Sequence, residues 1–272
     1  IDDIFAQVAE QAPAGSDNDF NLDEQEDLTS DTGDAEPTLE ALDDEIAKLL
    51  SQAHSGAGGK SRAPATASKP TINMHTLAKP ATATVQGNFR LTDPGSDSDV
   101  RHIILDLAGT PFPALEGQSV GVLPPGTNSK GEAHLPRLYS ISNPRDGERP
   151  GFNNISLTVK REENGVCSNY VCDLKPGDTI KVTGPFGATF LLPADPDAHL
   201  LMICTGTGSA PFRGFTMRRQ REFPALKNSL TLVFGARRPG ELPYFGPLKK
   251  VPETFMKKVF AFSREDGAPK QY

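Results

Sequence analysis

The sequence predicts an antiparallel β-barrel followed by a parallel α/β unit, with an acidic arm ahead of both. Three observations carry this. From about Asn73 onward, short strand-like stretches alternate apolar and polar residues and are separated by Gly and Pro turns. After Pro193 the pattern changes to short continuous apolar runs with a helical stretch between them, as in a parallel, nucleotide-binding sheet. Residues 1–50 hold sixteen Asp and Glu against one basic residue, Lys48.

The arm therefore carries −15. The whole 272-residue chain is −7, so residues 51–272 carry +8. Residues 1–36 have too few apolar side chains to offset ordering entropy and are expected to be disordered. Thr38 can cap a short helix over 38–50, in which Leu39, Leu42, Ile46 and Leu49 form one stripe. Such a helix is marginal: it either packs loosely or docks on a partner. Residues 54–71 are a small, Gly/Ala/Ser/Pro-rich linker. The expected division is an arm and linker over 1–72, a barrel over 73–193 and an α/β unit over 194–272.

Within the barrel, 100–107, 155–161 and 179–183 read as strands. In the second, Ile155, Leu157 and Val159 face one way while Ser156, Thr158 and Lys160 face the other. In the α/β unit, 199–204, 230–234 and 258–262 read as strands, the first two apolar enough to be covered on both faces. Residues 210–223 read as a helix. These elements are too few for a complete sheet, so the unit reads as C-terminally incomplete at Tyr272. An opening Ile1 rather than Met points to a processed chain or a fragment.

No apolar run approaches the roughly 18 residues of a membrane span, and nothing near Ile1 looks like a signal peptide. Only Cys167, Cys172 and Cys204 are present, too few for a disulfide framework, so a reducing, cytoplasmic setting is expected. Cys167 and Cys172 have C-x4-C spacing, but an iron–sulfur cluster needs four thiolates and no C-x2-C follows. Free thiols are expected, and no metal, nucleic-acid or membrane partner.

Arg137-Leu138-Tyr139-Ser140 offers a forked donor for a diphosphate, an aromatic face and a hydroxyl. An ordinary edge strand would read the same. Gly165-Val166-Cys167-Ser168 follows, where glycine lets the backbone turn and a helix N-terminus can meet a phosphate. Gly184-Pro185-Phe186-Gly187 reads as a rigid turn closing the barrel. Thr205-Gly206-Thr207-Gly208-Ser209-Ala210-Pro211-Phe212-Arg213 then follows a buried strand. Its glycines permit close approach to a dinucleotide, and Pro211 suits a first helical turn. A plain strand–helix turn would use the same glycines.

In this order and spacing the motifs resemble the ferredoxin–NADP reductase family over about 200 residues, from Asn73 to Tyr272. The resemblance implies an FAD barrel, an NADP domain and a flavin ring at their junction. By position, Arg137 with Leu138 would bind the FAD diphosphate, Tyr139 would pack on the flavin and Ser140 would lie near its N5 as the catalytic group. Thr158, Val159 and Lys160, with Gly165, Val166, Cys167 and Ser168, would hold the adenosine diphosphate half. Thr205, Gly206, Thr207 and Gly208 would face the nicotinamide. Ala236 and Arg237 would line the NADP(H) site, and Ser263, Arg264, Lys270 and Tyr272 would receive the 2′-phosphate and adenine. Two departures stand out. The loop Glu162-Glu163-Asn164 lacks the aromatic that stacks on adenine in many members. The distal residues that cover the flavin and flank the nicotinamide are absent.

The stretches 79–88, 145–150, 234–237 and 240–247 are similar to one branch of the family, the reductase subunits of benzoyl-CoA 2,3-epoxidase. That resemblance implies a ferredoxin-type iron–sulfur module ahead of Ile1, an oxygenase component as the onward partner, and the acidic arm as a tether. The alternatives are a stand-alone ferredoxin reductase, the reductase piece of another fused oxidoreductase, or a non-catalytic interaction protein. The arm's charge also raises a contact with a basic surface near Arg218, Arg219, Arg221, Lys249 and Lys250, in competition with an acidic carrier.

Overall fold

The computed structural model describes residues 62–264, apart from 97 and 228. The acidic arm, the helix expected over 38–50, Lys270 and Tyr272 lie outside the described residues.

Six strands form one antiparallel sheet: β1 (Ala81–Arg90), β2 (Val100–Asp106), β3 (Ser119–Leu123), β4 (Arg137–Ser140), β5 (Asn154–Lys160) and β6 (Thr179–Phe186). Their order is β4-β3-β6-β1-β2-β5. The two ends of that order meet where Ile141 bridges Leu157 and the Ser142 amide donates to the Ser156 carbonyl at 2.8 Å. The sheet thus closes into the expected barrel. β1 shows why it folds this way: Ala81, Ala83 and Val85 are buried, while Thr82, Thr84 and Gln86 are exposed. β1 and β3 fall outside the stretches that periodicity predicts. β6 runs on to Phe186, so Gly184 and Pro185 end a strand instead of forming the expected turn.

Helix α1 (Val166–Asp173) lies between β5 and β6 and sends Cys167, Val171 and Cys172 into the barrel core. Its C-terminal end is closed by Asn88, whose amide donates to the carbonyls of Cys172 at 3.1 Å and Leu174 at 2.7 Å. These carbonyls have no intrahelical partner, so one side chain from β1 satisfies the helix end.

In the second half β7 (Leu200–Thr205), β8 (Leu230–Ala236) and β9 (Met256–Phe262) are parallel, in that order. Helices α2 (Ser209–Glu222) and α3 (Phe245–Lys250) follow β7 and β8. Both helices cover the face that carries Met202, Leu232 and Phe234, which with Phe215 and Leu248 form the second core. On the other face of β7, Leu201 and Ile203 are 65% and 64% exposed. The expectation of two covered faces is therefore met on one only, because no described element packs on the second.

β5 corrects the simple alternation in a different way. Ile155, Leu157 and Val159 do fill the barrel core, but Ser156 and Thr158 on the opposite face are also buried. Their side meets the second half of the molecule, not water. The arginines of α2 are likewise internal. Arg219 is fully buried and donates to the carbonyls of Pro193 and Asp195. Arg221 binds Asp146 and the Gly147 and Glu148 carbonyls, and Arg218 lies against Glu222, Asp146 and Glu116. They do not form the expected open basic surface, because Arg221 and Arg218 turn to the loop at 146–148, Arg218 also to Glu222 and Glu116, and Arg219 to the carbonyls at 193 and 195. Lys249 and Lys250 are exposed.

Candidate functional site

On β4, Arg137 and Leu138 are exposed and Tyr139 and Ser140 half-buried. The strand lies against α1 through Tyr139, whose hydroxyl contacts the Cys167 thiol; that thiol also meets the Arg137 backbone. Burial drives the Tyr139 phenol and the Cys167 thiol up, so both stay protonated and neutral. Helix α1 starts at an extended Gly165 with no side-chain cap, and its first N–H groups have no intrahelical partner. Ser168 Oγ does not cap the helix: it accepts from the Glu162 amide and donates to the Gly165 carbonyl. The Arg137 backbone and the uncapped first turn of α1 thus meet at Cys167, with Leu138 and Val166 exposed at 38% and 54%.

The adenosine-side residues are split. Thr158 is buried and bonded to Tyr244, and Val159 is in the barrel core. Of that triplet only the Lys160 side chain reaches the surface, where it pairs with Glu162 at 3.3 Å. Any ligand contact from positions 158 and 159 would come from the backbone.

In the parallel half, β7 runs into Thr205 and a single 3-10 turn, Gly206–Gly208, before α2. Gly206 has φ +49 with open space where a Cβ would stand, a conformation that favours glycine. Pro211 occupies the first turn of α2, as expected. At the neighbouring strand ends the Ser263 amide donates to the Ala236 carbonyl and the Arg264 amide to the Arg237 carbonyl. Thr205–Gly208, Ala236, Arg237, Ser263 and Arg264 therefore gather at the carboxyl ends of three parallel strands, the usual ligand crevice of such sheets.

Between the halves lies a buried polar cluster to which sequence reasoning assigned no role. Arg213 of α2 donates to both Glu148 carboxylate oxygens, at 2.7 and 2.8 Å, and to the Ser142 carbonyl at 2.9 Å. His102 Nε2 lies 3.2 Å from Glu148, and Ser156 donates to the same carboxylate. His102 Nδ1 and Thr158 Oγ1 meet the Tyr244 hydroxyl at 2.9 and 2.6 Å. Burial pushes the His102 imidazole down, so it is neutral: Nε2–H donates to Glu148 and Nδ1 accepts from Tyr244. Burial alone would raise the Glu148 carboxyl, but Arg213 and His102 outweigh it and hold the group well below its ordinary value. Two features of the sequence could have marked it. Arg213 ends the glycine-rich motif, and His102 interrupts the apolar run of β2.

Residues 117–190 match the oxidoreductase FAD-binding domain family and residues 202–271 the oxidoreductase NAD-binding domain family. The ferredoxin–NADP reductase of Spirulina is 36% identical over 214 residues, covering 73% of this chain and 73% of that protein. The chain belongs to the ferredoxin–NADP reductase family. The Synechocystis ferredoxin–NADP reductase is 37% identical over 209 residues, covering 71% of this chain. The chain spans about half the length of that relative, 51%. Among solved structures, a Plasmodium falciparum ferredoxin–NADP reductase with 2′P-AMP superposes with a TM-score of 0.61 at 27% identity, covering 75% of this chain and 80% of that one.

The family's FAD fits the residues present. A diphosphate needs a forked cation and free backbone donors; Arg137 is exposed on β4, whose backbone meets α1 at Cys167, and α1 starts without a side-chain cap. Exposed Leu138 and Val166 offer apolar surface for a ring to cover. The family's NADP(H) fits the second crevice, where Gly206 leaves open space and Arg264 and Ser263 stand at the strand ends. Among the described residues no helix is long and apolar enough to cross a membrane.

Proposed function

We propose that this chain is the reductase portion of an NADPH-dependent flavoprotein that delivers electrons to an iron–sulfur carrier. In the finer reading it supplies the oxygenase component of benzoyl-CoA 2,3-epoxidase in the cytoplasm. The parts are a tethering arm over 1–72, an FAD barrel over 73–193 and an NADP-binding unit over 194–272. FAD, held there, would supply the redox chemistry that links a two-electron donor, NADPH, to a one-electron carrier. Arg137 and the first amides of α1 hold the diphosphate; Tyr139 packs beside the ring. Ser140 is half-buried at the end of β4, and its hydroxyl would lie near the reacting edge of the bound ring. Thr205–Gly208 admit the nicotinamide, and Arg264 with Ser263 receives the 2′-phosphate.

One observation carries the reading. The diphosphate cradle and the glycine turn are joined by a short rigid route: Arg213, five residues after Gly208, bonds to the Ser142 carbonyl, two residues after Ser140. The finer assignment is supported by the stretches 79–88, 145–150, 234–237 and 240–247, which resemble that branch. A stand-alone ferredoxin–NADP reductase is the second reading, favoured by relatives that are themselves ferredoxin–NADP reductases.

Purified protein should be yellow, release FAD on denaturation and bleach with NADPH. Release of FMN alone, or no bleaching, would overturn the reading. The finer assignment requires NADPH- and oxygen-dependent benzoyl-CoA consumption when the full-length protein is mixed with the oxygenase component. Reduction of free ferredoxin without that consumption selects the stand-alone reductase.

A further inference from the structure

A bidentate arginine–carboxylate pair buried between two halves of a protein is poorly explained by stability alone. Taking two charges out of water is costly, and apolar replacements of similar volume are often at least as stable. Such a pair does enforce one orientation, because the planar fork and the carboxylate must align. Here Arg213 is on α2 and Glu148 is on the loop after β4, with side chains 2% and 12% exposed. His102 from β2 and Tyr244 ahead of α3 close the cluster, and the Arg213 guanidinium lies 5.2 Å over the Tyr244 ring. The contact is tight beside it: a Cβ added to Gly214 would stand 3.1 Å from the Asn143 carbonyl oxygen.

We infer that Glu148 and Arg213 form a positioning clasp that sets the spacing between the Thr205–Gly208 turn and β4. The route is short on both sides. Gly208 to Arg213 spans about 7.5 Å of helix at 1.5 Å per residue. Ser140 to Ser142 spans about 7 Å of extended chain. With Arg213 bonded to Ser142, whose amide is itself tied to the Ser156 carbonyl of β5, the two ligand-facing segments are held by a short strut. Gly214 lets α2 approach closely enough for that bond to form. The inference rests on the NADPH–flavin reading for its consequence, since a misplacement of about 1 Å can slow a positioned reaction about 100-fold.

The test uses the full chain with FAD bound and two variants. Glu148→Gln keeps the shape and removes the charge opposite Arg213. Gly214→Ala keeps every charge and adds only a methyl against Asn143. FAD per chain should stay at the parental level. The limiting rate of flavin reduction at saturating NADPH should fall about 10- to 100-fold, with the NADPH KM within about 3-fold of the parent. The second measurement does not depend on activity. Spin labels on Lys181→Cys in β6 and Lys257→Cys in β9, both exposed, should give a narrow distance distribution that broadens in each variant. The three native thiols are buried, so the labels report those two sites. A folded, FAD-loaded variant with the parental rate, or with an unbroadened distribution, overturns the clasp. Should Glu148→Gln not fold, Gly214→Ala decides alone. A parent that neither binds FAD nor reacts with NADPH counts against the proposed function, and the label distances still decide the clasp.

Discussion

Tyr244→Phe removes a single oxygen and leaves the ring in place. That oxygen bonds His102 Nδ1 at 2.9 Å and Thr158 Oγ1 at 2.6 Å, and both residues are buried, at 3% and 4% exposure. Neither can reach water when the oxygen goes. A buried polar group left without its partner costs about 1–3 kcal/mol. The Thr158 hydroxyl can rotate while the imidazole is held by Glu148, so the two together should cost about 2–4 kcal/mol. For a domain pair of this size 1 kcal/mol moves Tm by about 2–4 °C, giving a fall of about 4–16 °C. Calorimetry at neutral pH would measure it, with FAD in equal excess for parent and variant so that ligand linkage cancels. Burial pushes the Tyr244 phenol up to about 12, so its ionisation plays no part at that pH. A change within about 0.5 kcal/mol, the range of an ordinary surface substitution, would refute the reasoning. It would mean that the cluster relaxes or admits water.

Five further outcomes are expected. Asn88→Ala leaves the carbonyls at the end of α1 without their partner and should lower stability by about 1–3 kcal/mol by urea denaturation, with faster hydrogen exchange concentrated in α1. Stability should fall as pH drops below 6.5. Neutral His102 in the fold then faces an unfolded chain that binds a proton, and Glu148, ionised in the fold below the ordinary 4.5, adds to the loss as pH falls further. His102→Gln should flatten the part of the urea-midpoint profile between 6.5 and 4.5. Arg137→Ala should weaken FAD retention about 10- to 100-fold, as loss of a charged contact of about 1.5–3 kcal/mol implies, seen as flavin per chain after dialysis. Arg264→Ala should weaken NADPH use by a similar factor, about 10- to 100-fold, while NADH use stays near the parental value in steady-state kinetics. Equal losses with both would place Arg264 in the fold or at a shared phosphate.

The strands legible in sequence were those rich in Ile, Leu and Val. β5 announced its core face through Ile155, Leu157 and Val159, but its pattern does not say that Ser156 and Thr158 are covered too, since Ser156 meets the loop at 142–148 and Thr158 meets Tyr244, 86 positions on. β1 and β3 were missed for different reasons: in β1 the alternating Ala and Thr carry little hydropathy contrast, and β3 is five residues long and buried on both faces, with no alternation to read. The glycine turn and Pro211 were readable because backbone geometry restricts which residues can stand there. The clasp was not. Arg218, Arg219 and Arg221 read as a basic face because helix composition carries no record of a loop folded against it, and Glu148 binds Arg213 across 65 positions.

The three thiols give this fold an internal clock. Cys167 and Cys172 lie inside the barrel and Cys204 inside the parallel sheet, all buried, with burial driving Cys172 and Cys204 up to about 12. Alkylation needs both access and a thiolate, so each sulfur reacts only when its own half opens. Mass spectrometry of the labelled peptides over time would then order the opening of the two halves on a single chain, without any added reporter. With an intact clasp the barrel and sheet thiols should react in step. A chain whose clasp is cut should show Cys204 labelled ahead of the other two.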